Sequence, residues 1–492
     1  MIDLALLLKP RLAGGGVGTL RRRLSDALKA AVLDGTLEAG SVLPASRVLA
    51  RELRCGRNTV LHAYEELAAE GYVLADRQGT IVSHLPSAAR TAASAPAAPV
   101  LPPLSRRGMP HRPVPDGNAE NQAPFMPGEP ALEEFPLARW QRRMVQAWKA
   151  VAPGVLGANP APGEPVLRAA IAAYLRASRG VHCDAEQVVI TSGTSESLGL
   201  CAHLLAERGE RVWMEHPGYP GARAAFIDAG LSLVPVPVDA HGIAPPDALW
   251  KRSPPKLVYA TPSHQYPLGV VLSLPRRLSL IARARSAGAW VLEDDYDSEF
   301  CRGVPLAAMQ GLAPDAPVVY MGTFSKTLFP ALRLGFMVLP QAALAQVLPA
   351  LGRRLVLGRP VEQEALAAFI HEGDYTTHLR RMRALYAERE QALRESLERH
   401  WPLPLMLSPG HGGMHLALAL PEWLPDTTLV EAAWQAGLAP RALSNYSVAG
   451  ARPLNGLVLG YGRLAAEQAD RQVSELAAVV KATARKRRTT SD

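Results

Sequence analysis

The sequence predicts a multidomain protein, in which a small N-terminal α+β domain precedes a large C-terminal α/β domain with a mainly parallel sheet. Three observations lead to this prediction. The chain has 492 residues, which is too long for one ordinary hydrophobic core. The stretch from Ser87 to Pro103 is dominated by alanine, serine and proline, a composition typical of linkers. Beyond it, short β-branched runs alternate with helical runs, as they do in parallel α/β sheets.

The composition is that of a globular protein. Hydrophobic residues make up 48% of the chain and charged residues 20%, which argues against a disordered chain. The four cysteines are scattered and form no CxxC pair, so we expect reduced thiols and a cytoplasmic location. No window approaches about 18 consecutive apolar residues, so we expect no membrane span. The net charge of +8 is compatible with a nucleic-acid partner but does not demonstrate one.

The predicted organisation has four parts. The N-terminal domain covers residues 15–85, the linker 86–110, the C-terminal domain 111–480 and a basic tail 481–492. The tail, KATARKRRTTSD, is expected to be a solvated, disordered end. The apolar N-terminus, MIDLALLLKP, is too short for the apolar region of a secretion signal, and it lies outside the predicted domain.

The N-terminal domain has the pattern of a winged helix-turn-helix. Thr19, an N-cap candidate, precedes apolar residues that recur at helical spacing. Two short helical runs follow, LPASRVLAREL and RNTVLHAYEELAAEGY, and the turn RCGR joins them, as in a helix-turn-helix. The run YVLADRQGTIVS then predicts two short strands around residues 77–79, which would form the wing.

Several polar residues of this pattern predict contacts with double-stranded DNA. Arg47 and Arg51 lie one turn apart on the first helix of the pair. Arg57, Asn58 and Thr59 begin the second helix, which is where a recognition helix meets base edges. Arginine can fork onto guanine or a phosphate, and asparagine can pair with adenine. The charge signal is weak, because the first 90 residues hold 12 Lys/Arg against 9 Asp/Glu. The alternative is a small helical domain with solvated arginines.

The stretch LPASRVLARELRCGRNTVLHAYEELAAEGYVLADRQGTIVS resembles the winged helix-turn-helix of the GntR family of bacterial transcription regulators. The resemblance covers residues from about 20 to 83. It implies that Arg47, Arg57 and the wing glycine, Gly79, lie at the DNA. We include Arg77, which is in the same predicted wing, among the DNA-binding candidates.

In the large domain, polar residues collect at the predicted carboxyl ends of the strands, where ligands bind in open α/β sheets. The turn Ser192-Gly193-Thr194 follows the strand QVVIT and opens a helix, so its N–H groups can hold a phosphate. Tyr219 follows RVWMEH, and its ring could stack on a planar group. His264 follows KLVYA. Taken singly, these features also fit an ordinary N-cap turn, a packing tyrosine and a hydrogen-bonded loop histidine.

The acidic run EDDYD, Glu293–Asp297, raises the question of a metal site. No second carboxylate cluster or paired histidine completes an oxygen shell. The His411 and His415 pair in HGGMH contains glycines and is predicted to lie in a loop. We therefore expect no metal. One carboxylate of the run could instead pair with a protonated ring nitrogen, and Tyr296 could reach a substituent of the same ring.

The segment GTFSKTLFPALRLGF, Gly322–Phe336, places one lysine in apolar surroundings and one arginine seven residues later. A lysine that reacts with an aldehyde must first lose its proton, which apolar surroundings favour. The fork of Arg333 suits a phosphate. Lys326 could react with an aldehyde, Asp294 could pair with a pyridinium nitrogen, and Tyr219 could stack on a ring face. One cofactor, pyridoxal 5′-phosphate, carries these groups together with a phosphate, so the residues together predict a site for it.

The large domain resembles the fold-type I aminotransferases, which have a large and a small subdomain. Its fusion to a GntR-like N-terminus resembles the MocR/GabR family of transcription regulators. The motifs that carry the resemblance are VITSGT, EHPGYPG, YATPSHQYPLGV, LEDDYDSEF and GTFSKTLFPALRLGF. Since aminotransferase-like domains usually form dimers, the resemblance implies a homodimer with paired DNA sites.

The resemblance also implies roles for individual residues in binding pyridoxal phosphate. Lys326 would hold the cofactor as an internal aldimine, and Asp294 would pair with its pyridine nitrogen. Tyr296 would hydrogen-bond the phenolic oxygen, with His264 near the same oxygen, and Tyr219 would stack on the ring. The phosphate would be held by Ser192, Gly193, Thr194, Thr323, Ser325 and Arg333.

One departure from the family pattern bears on the effector. Aminotransferases hold the substrate carboxylate with an arginine on a late strand, and the matching position in GLVLGYG is Val458. Three arginines nearby in the sequence are candidates to replace it: Arg441, Arg452 and Arg463. Loss of this arginine would weaken amino-acid turnover more than cofactor binding.

We therefore expect a PLP-binding, DNA-binding transcription regulator, which responds to pyridoxal phosphate itself or to an amine or amino-acid effector through aldimine formation. The missing carboxylate arginine favours pyridoxal phosphate itself as the signal. The alternative is an active PLP-dependent aminotransferase with an accessory DNA-binding domain. The helix-turn-helix and Val458 argue for sensing and against turnover. A third and weaker alternative is a scaffold that binds no cofactor.

Overall fold

The computed structural model describes residues 4–13, 19–76, 79–84, 123–157, 162–303, 307–313, 315–353 and 358–491. The chain forms two compact units, Met1–Leu104 and Ser105–Asp492. The division between the units falls within the predicted linker, residues 86–110. That linker and the predicted wing residue Arg77 lie outside the described residues.

The first unit contains helices and a small antiparallel sheet. Its elements are α1 (Leu4–Ala13), α2 (Leu20–Leu33), β1 (Val42–Leu43), α3 (Ser46–Glu52), α4 (Arg57–Ala69), β2 (Val73–Asp76) and β3 (Gly79–Val82). Strand β3 lies between β1 and β2 and is antiparallel to both. Thr19 caps α2, since its side chain accepts a hydrogen bond from the Arg22 amide. The helix pair α3–α4 followed by the β2–β3 wing confirms the predicted winged helix-turn-helix.

Helix α1 was not predicted from the sequence, which showed only a short apolar N-terminus. The structure packs α1 against α2 and α3. Leu4, Ala5 and Leu8 on α1 are buried in the same core as Leu28 and Leu49. The apolar N-terminus is therefore part of the first unit's core, because its leucines recur at helical spacing and face one surface.

An eight-stranded sheet forms the centre of the second unit. Its strands are β4 (Val188–Thr191), β5 (Arg211–His216), β6 (Ser232–Asp239), β7 (Gly242–Ile243), β8 (Leu257–Ala260), β9 (Trp290–Asp295), β10 (Val318–Thr323) and β11 (Gly335–Val338). Their spatial order is β4-β11-β10-β9-β8-β5-β6-β7. The strands from β10 to β6 in this order are parallel, whereas β11 is antiparallel to both neighbours and β7 to β6. The predicted mainly parallel α/β sheet is confirmed.

Helices surround this sheet, and a second sheet lies in the C-terminal part of the unit. The helices are α5 (Leu137–Ala150), α6 (Pro165–Arg179), α7 (Thr194–Leu205), α8 (Pro220–Asp228), α9 (Asp247–Arg252), α10 (Leu274–Ala287), α11 (Leu344–Leu351), α12 (Pro360–His371), α13 (Asp374–His400), α14 (Asp426–Gln435) and α15 (Ala469–Ser491). The second sheet is antiparallel, with β14 (Gly456–Gly460) between β12 (His415–Ala419) and β13 (Arg441–Ala442). Within the part of the chain that the structure describes, no helix has both the length and the apolar character that crossing a membrane requires.

The parallel strands explain why distant motifs meet. Every residue of β8 is buried, which is typical of central strands covered by helices on both faces. Strands β9 and β10 run parallel with Asp294 opposite Met321. The acidic run at the end of β9 therefore lies beside the segment that follows β10 and carries Lys326.

The prediction of a disordered basic tail was wrong. Helix α15 continues through the predicted tail to Ser491. Val473, Leu476 and Val480 on this helix are fully buried, and α15 packs on α13 and α14. The docked apolar face nucleates the helix. The residues that follow are rich in alanine, lysine and arginine, and they can extend the helix because these residue types have high helix propensity.

Candidate functional site

A cavity of about 330 Å³ opens at the carboxyl ends of β4, β8, β9 and β10 in the second unit. Ten of the eleven residues predicted to bind a cofactor line it. They are Ser192, Gly193, Thr194, Tyr219, Asp294, Tyr296, Thr323, Ser325, Lys326 and Arg333. The eleventh, His264, lies behind the wall and not on it. The fold thus brings together side chains that are separated by more than a hundred residues in the sequence.

Lys326 is held at the base of a turn that follows β10. Its Nζ donates a hydrogen bond to the Gly128 carbonyl oxygen at 2.6 Å. Burial lowers the pKa of Lys326, although the carboxylates of Glu129, Asp297 and Asp294 oppose the shift. A lysine with a lowered pKa loses its proton more readily, which is what nucleophilic attack on a carbonyl carbon requires.

Asp294 presents one carboxylate oxygen without a partner. Its Oδ2 accepts a hydrogen bond from the Tyr259 hydroxyl at 2.7 Å, whereas its buried Oδ1 has no hydrogen-bond partner among the described residues. Burial raises the pKa of Asp294 to about 7, although the hydrogen bond from Tyr259 opposes the shift. Because a buried unpaired carboxylate oxygen is costly, this atom fits a cationic N–H donor brought by a ligand.

The opposite end of the cavity can hold an anion. Gly193 is the N-cap of α7 and has a φ of +111°, a conformation that favours glycine. The N-terminus of α7 therefore faces the cavity with the positive end of its dipole. Arg333 also lines this cavity and remains solvent-exposed. Nearby, the Thr323 hydroxyl accepts a hydrogen bond from the Ser325 amide at 3.1 Å.

Tyr219 forms a side wall at the start of α8. A Cβ atom at Gly221 would lie within 2.6 Å of three atoms of the Tyr219 side chain, so glycine at that position makes room for the ring. The ring centroid lies 5.9 Å from that of Tyr266 in an edge-to-face arrangement. The loop that carries Tyr219 is joined to the C-terminal part of the unit by a hydrogen bond from the Gly218 amide to the Tyr446 carbonyl at 2.9 Å.

His264 is not among the residues that line the cavity, but it contacts Tyr296, which is. The Tyr296 hydroxyl donates to the His264 carbonyl oxygen at 2.9 Å, and His264 Nδ1 lies 2.9 Å from a carboxylate oxygen of Asp297. Burial lowers the pKa of His264, but the Asp297 carboxylate outweighs burial and the net pKa is raised. His264 and Asp297 therefore form a buried polar pair that orients the Tyr296 hydroxyl.

Several lining residues were missed by sequence reasoning. These are Pro127, Gly128, Ser195, Tyr259, Thr261, Tyr266, Pro330, Met414 and His415. The prediction that HGGMH is entirely a loop was wrong, since His415 begins β12 and is buried. Among the described residues, His264, Asp297 and His415 bring possible metal-ligand atoms within 4.8 Å of one another, although His415 Nε2 already contacts the Pro267 carbonyl oxygen. Four of the missed residues lie within the quoted motifs but were given no role: Tyr259, Thr261, Tyr266 and Pro330. Pro127, Gly128 and Met414 lie outside the motifs that carry the resemblance, and they reach the cavity only through the packing of distant segments.

The three effector-candidate arginines do not line the cavity. Arg441 on β13 holds its guanidinium over the Trp434 ring, 4.7 Å from the centroid. Arg452 forms an exposed ion pair with Glu422. Arg463 is half-buried in the loop after β14.

The predicted DNA-binding residues lie on the helix pair of the first unit. Arg47, Arg51, Arg57 and Asn58 are solvent-exposed, and Thr59 is half-buried. Arg57, Asn58 and Thr59 occupy the first positions of α4, which is where recognition helices present side chains to base edges. Gly79 begins β3 of the wing with a φ of +137°.

Comparison with known families matches both units. The family described as "Aminotransferase class I and II" matches residues 126–440. The family described as "Bacterial regulatory proteins, gntR family" matches residues 20–82. The first match covers the cavity, and the second covers the winged helix-turn-helix.

Individual relatives match the chain over most of their own length. The chain is 40% identical to a probable rhizopine catabolism regulatory protein MocR of Rhizobium meliloti, over 90% of each chain. It is 32% identical to the pyridoxine biosynthesis transcriptional regulator PdxR of Corynebacterium glutamicum, over 89% of this chain and 91% of the relative. The solved structure of LysN, an α-aminoadipate aminotransferase of Thermus thermophilus complexed with N-(5′-phosphopyridoxyl)-L-leucine, matches the second unit with a TM-score of 0.67 and 29% identity. That match covers 74% of this chain and 93% of LysN.

Proposed function

Because the chain belongs to the MocR/GabR family of transcription regulators, we propose that its C-terminal unit binds pyridoxal 5′-phosphate and that its N-terminal unit binds operator DNA. In this proposal, occupancy of the cavity by the cofactor, or by an amine effector with it, changes the affinity for DNA. The observation that carries the proposal is the unpartnered, buried Oδ1 of Asp294 in the same cavity as Lys326 and the N-terminus of α7.

The residues of the cavity fit the cofactor's groups one by one. Asp294 Oδ1 would accept the hydrogen bond of a protonated pyridine nitrogen, and Tyr219 would cover the ring. Arg333 and the N-terminus of α7 would hold the phosphate. Tyr296 would hydrogen-bond the phenolic oxygen by turning its one hydroxyl proton away from the His264 carbonyl oxygen. When bound, pyridoxal phosphate supplies an aldehyde that reacts reversibly with amines. The lowered pKa of Lys326 prepares its amine for that aldehyde.

The named ligand of a relative supports this assignment. LysN, which shares the fold of the second unit at 29% identity, was solved with a phosphopyridoxyl derivative of leucine. The regulator PdxR, at 32% identity, is named for pyridoxine biosynthesis. Both names point to B6 chemistry in relatives whose aminotransferase-like part aligns with the cavity-bearing unit of this chain.

The first unit supports the DNA half of the proposal. Exposed Arg57 and Asn58 at the start of α4 can contact base edges, and exposed Arg47 and Arg51 on α3 can contact phosphates. The proposal extends to a homodimer, because a two-fold dimer presents two recognition helices to two half-sites of a palindromic operator. An effector then acts only if it binds one arrangement of the protein more tightly than another.

An absorbance titration of the purified full-length protein with pyridoxal phosphate tests the cofactor assignment. We expect a visible absorbance band that borohydride removes, and we expect Lys326→Ala to abolish the band, because no other lysine among the described residues lines the cavity. Lys251→Ala, at an exposed position on α9, is the matched control and should keep the band. A band of wild-type strength in Lys326→Ala would refute the assignment of this lysine.

Steady-state turnover separates the regulator from the alternative enzyme. A regulator should form the absorbance band and bind DNA from its own upstream region, while transaminating amino acids with keto acids far below typical enzyme rates of about 1–1000 per second. Turnover within that range without specific DNA binding would overturn the proposed function in favour of an aminotransferase with an accessory domain.

A further inference from the structure

Tyr259 lines the cavity but lies inside a strand, one residue before the end of β8. Strand β8 runs between β5 and β9, and the Tyr259 side chain is fully buried. The register places Tyr259 opposite Leu292 of β9, and both side chains belong to the same core cluster. Because side chains alternate along a strand, Asp294 projects from the same face of the sheet as Leu292. The register therefore brings the phenol of Tyr259 beside the carboxyl group of Asp294.

The contact between these two residues fixes the carboxyl group of Asp294. The Tyr259 hydroxyl donates to Oδ2 at 2.7 Å, and the buried Oδ1 has no hydrogen-bond partner among the described residues. The Phe226 ring packs edge-to-face against that of Tyr259, with the ring centroids 5.9 Å apart, and is itself fully buried. A carboxyl group held at one oxygen by a tightly packed donor cannot turn freely, so its other oxygen keeps one direction.

The phenol also acts on the protonation of Asp294. Burial raises the pKa of Asp294 to about 7, and the hydrogen bond from Tyr259 opposes this shift more than the charge of Lys326 does. The carboxylates of Asp295 and Asp297 add to the rise. Further titratable groups that interact electrostatically with Asp294 are Glu215, Tyr219 and Tyr296. All of these groups except Tyr259 are kept in Tyr259→Phe, so that variant isolates the effect of the phenol.

We infer that Tyr259 is a positioning residue for the cofactor, which keeps Asp294 ionised and directs its Oδ1 at the ring nitrogen, so that the nitrogen carries the proton. The inference rests on the proposed function. One proton is shared between Oδ1 and the ring nitrogen, and it lies on whichever atom holds it more tightly. A donor at Oδ2 stabilises the carboxylate over the carboxylic acid, so it moves the proton from Oδ1 to the nitrogen. Without the phenol, the proton shifts toward Asp294 and the nitrogen loses its charge.

Nitrogen NMR of the full-length protein, loaded with pyridoxal phosphate that is isotopically labelled at the ring nitrogen, locates this proton. We expect the chemical shift of a protonated ring nitrogen in the wild type, and a movement toward the unprotonated value in Tyr259→Phe. Tyr320→Phe is the matched control, because it removes a phenol that donates to the neighbouring buried carboxylate of Asp295 at 2.6 Å, and it should keep the wild-type shift. A wild-type shift in Tyr259→Phe, or an unprotonated nitrogen in the wild type, would overturn the inference.

Urea unfolding of the cofactor-free protein tests the same contact without the cofactor. The folded wild type ionises Asp294 as pH rises through about 7, and the hydrogen bond from the phenol favours the ionised form. The loss of stability with rising pH therefore ends near pH 7 in the wild type and continues to higher pH in Tyr259→Phe. We expect the unfolding equilibrium constants of the two proteins to diverge by about tenfold or more between about pH 6 and 9, since a hydrogen bond to a charged group is worth that much. In the Asp294→Asn background, Tyr259→Phe should have the same effect at every pH.

A pH-independent effect of Tyr259→Phe in the wild-type background would overturn the inference, because that result is expected of a tyrosine that only fills space. Absence of the cofactor's absorbance band in the wild type would instead defeat the proposed function, while the unfolding data would still show whether Tyr259 acts on Asp294. The two failures are therefore distinguishable.

Discussion

At the scale of single residues, Asp294 and Lys326 show how burial prepares the cavity. Removing either charged form from water is unfavourable, so burial raises the pKa of Asp294 to about 7 and lowers that of Lys326. Each group is thereby shifted toward its neutral form when the cavity holds no ligand. A protonated ring nitrogen at Asp294 Oδ1 would reverse the shift of the carboxylate, because a nearby cation favours its ionised form.

The raised pKa of Asp294 predicts a specific dependence of stability on pH in the cofactor-free protein. Between its ordinary pKa of 3.8 and about 7, the folded state holds a proton that the unfolded chain releases. The contribution of Asp294 to the free energy of unfolding is therefore complete below pH 3.8 and is lost as pH rises to about 7. Over this pH range the free energy of unfolding of the wild type, relative to that of Asp294→Asn, falls by at most about 4 kcal/mol.

Urea unfolding of wild type and Asp294→Asn at several pH values measures this difference. The exposed residue Asp228, at the end of α8, gives the control variant Asp228→Asn, which removes a carboxyl group that is already in contact with water. Added pyridoxal phosphate should make the free energy of unfolding of the wild type less dependent on pH. A flat difference between wild type and Asp294→Asn from pH 4 to 7 would contradict the assigned burial of this carboxylate.

At the scale of elements, a buried ion pair joins a helix to the end of the sheet strand that carries Asp294. Arg179, the last residue of α6, donates from Nε to Asp295 Oδ2 at 2.9 Å, and both side chains are almost fully buried. The Tyr320 hydroxyl of β10 donates to the same oxygen at 2.6 Å, and Arg179 also donates to the Ser263 hydroxyl. The pair thus links α6, β9, β10 and the loop after β8 directly behind the cavity.

Arg179→Ala is expected to reduce the free energy of unfolding by about 3–5 kcal/mol, because it leaves the Asp295 carboxylate buried without a cationic partner. The matched control is Arg276→Ala, which removes the partly exposed pair with Asp239 and should cost about 1 kcal/mol or less. Chemical denaturation monitored by circular dichroism measures both. Similar losses in the two variants would show that burial does not set the strength of the Arg179 pair.

At the scale of the whole molecule, DNA contact and cofactor contact are assigned to different compact units. The exposed arginines at the helix pair belong to the first unit, and the cavity belongs to the second. Mutations of the arginines should therefore leave cofactor binding intact, and mutations of the cavity residues should leave DNA binding intact. Coupling between the two sites can still change either affinity, because each ligand can favour one conformation of the protein over another.

We expect Arg57→Ala to weaken binding to DNA from the protein's own upstream region by about fivefold or more, which is the range for loss of one specific arginine contact. The absorbance band with pyridoxal phosphate should be unchanged. Arg21→Ala, at an exposed position on α2, is the control and should retain DNA affinity. Electrophoretic shift assays at fixed salt make the comparison, and an equal loss in both variants would mean that Arg57 makes no particular contact.

Some features could be predicted from the sequence because they depend on local patterns. Apolar runs such as KLVYA predict central strands, and Thr19 before an apolar helical repeat predicts the start of α2. Ten cofactor-binding candidates line one cavity because each lies at or after the carboxyl end of a strand, and parallel strands bring these ends to one edge of a sheet. Their individual roles toward the cofactor stay predictions.

Other features depend on contacts between distant segments, which local patterns do not encode. Tyr259 lies inside a buried strand and was missed, although its hydroxyl fixes one oxygen of Asp294. His264 was predicted to bind the cofactor, but packing against Asp297 places it behind Tyr296. The helicity of α1 and of the basic tail follows from docking of their leucines and valines onto cores formed elsewhere in the chain.

Three features follow from the sequence alone: the two-part organisation, the alternation of strands and helices in the large domain, and the residue types that suit pyridoxal phosphate and DNA. The tertiary structure decided which of those residues share a cavity, which oxygen of Asp294 is left unpaired, and that Arg441 is held at Trp434 while Val458 packs behind Tyr266. The reason is physical: hydrophobic periodicity and capping act over a few residues, whereas burial, strand register and electrostatic environment arise only when distant segments pack together.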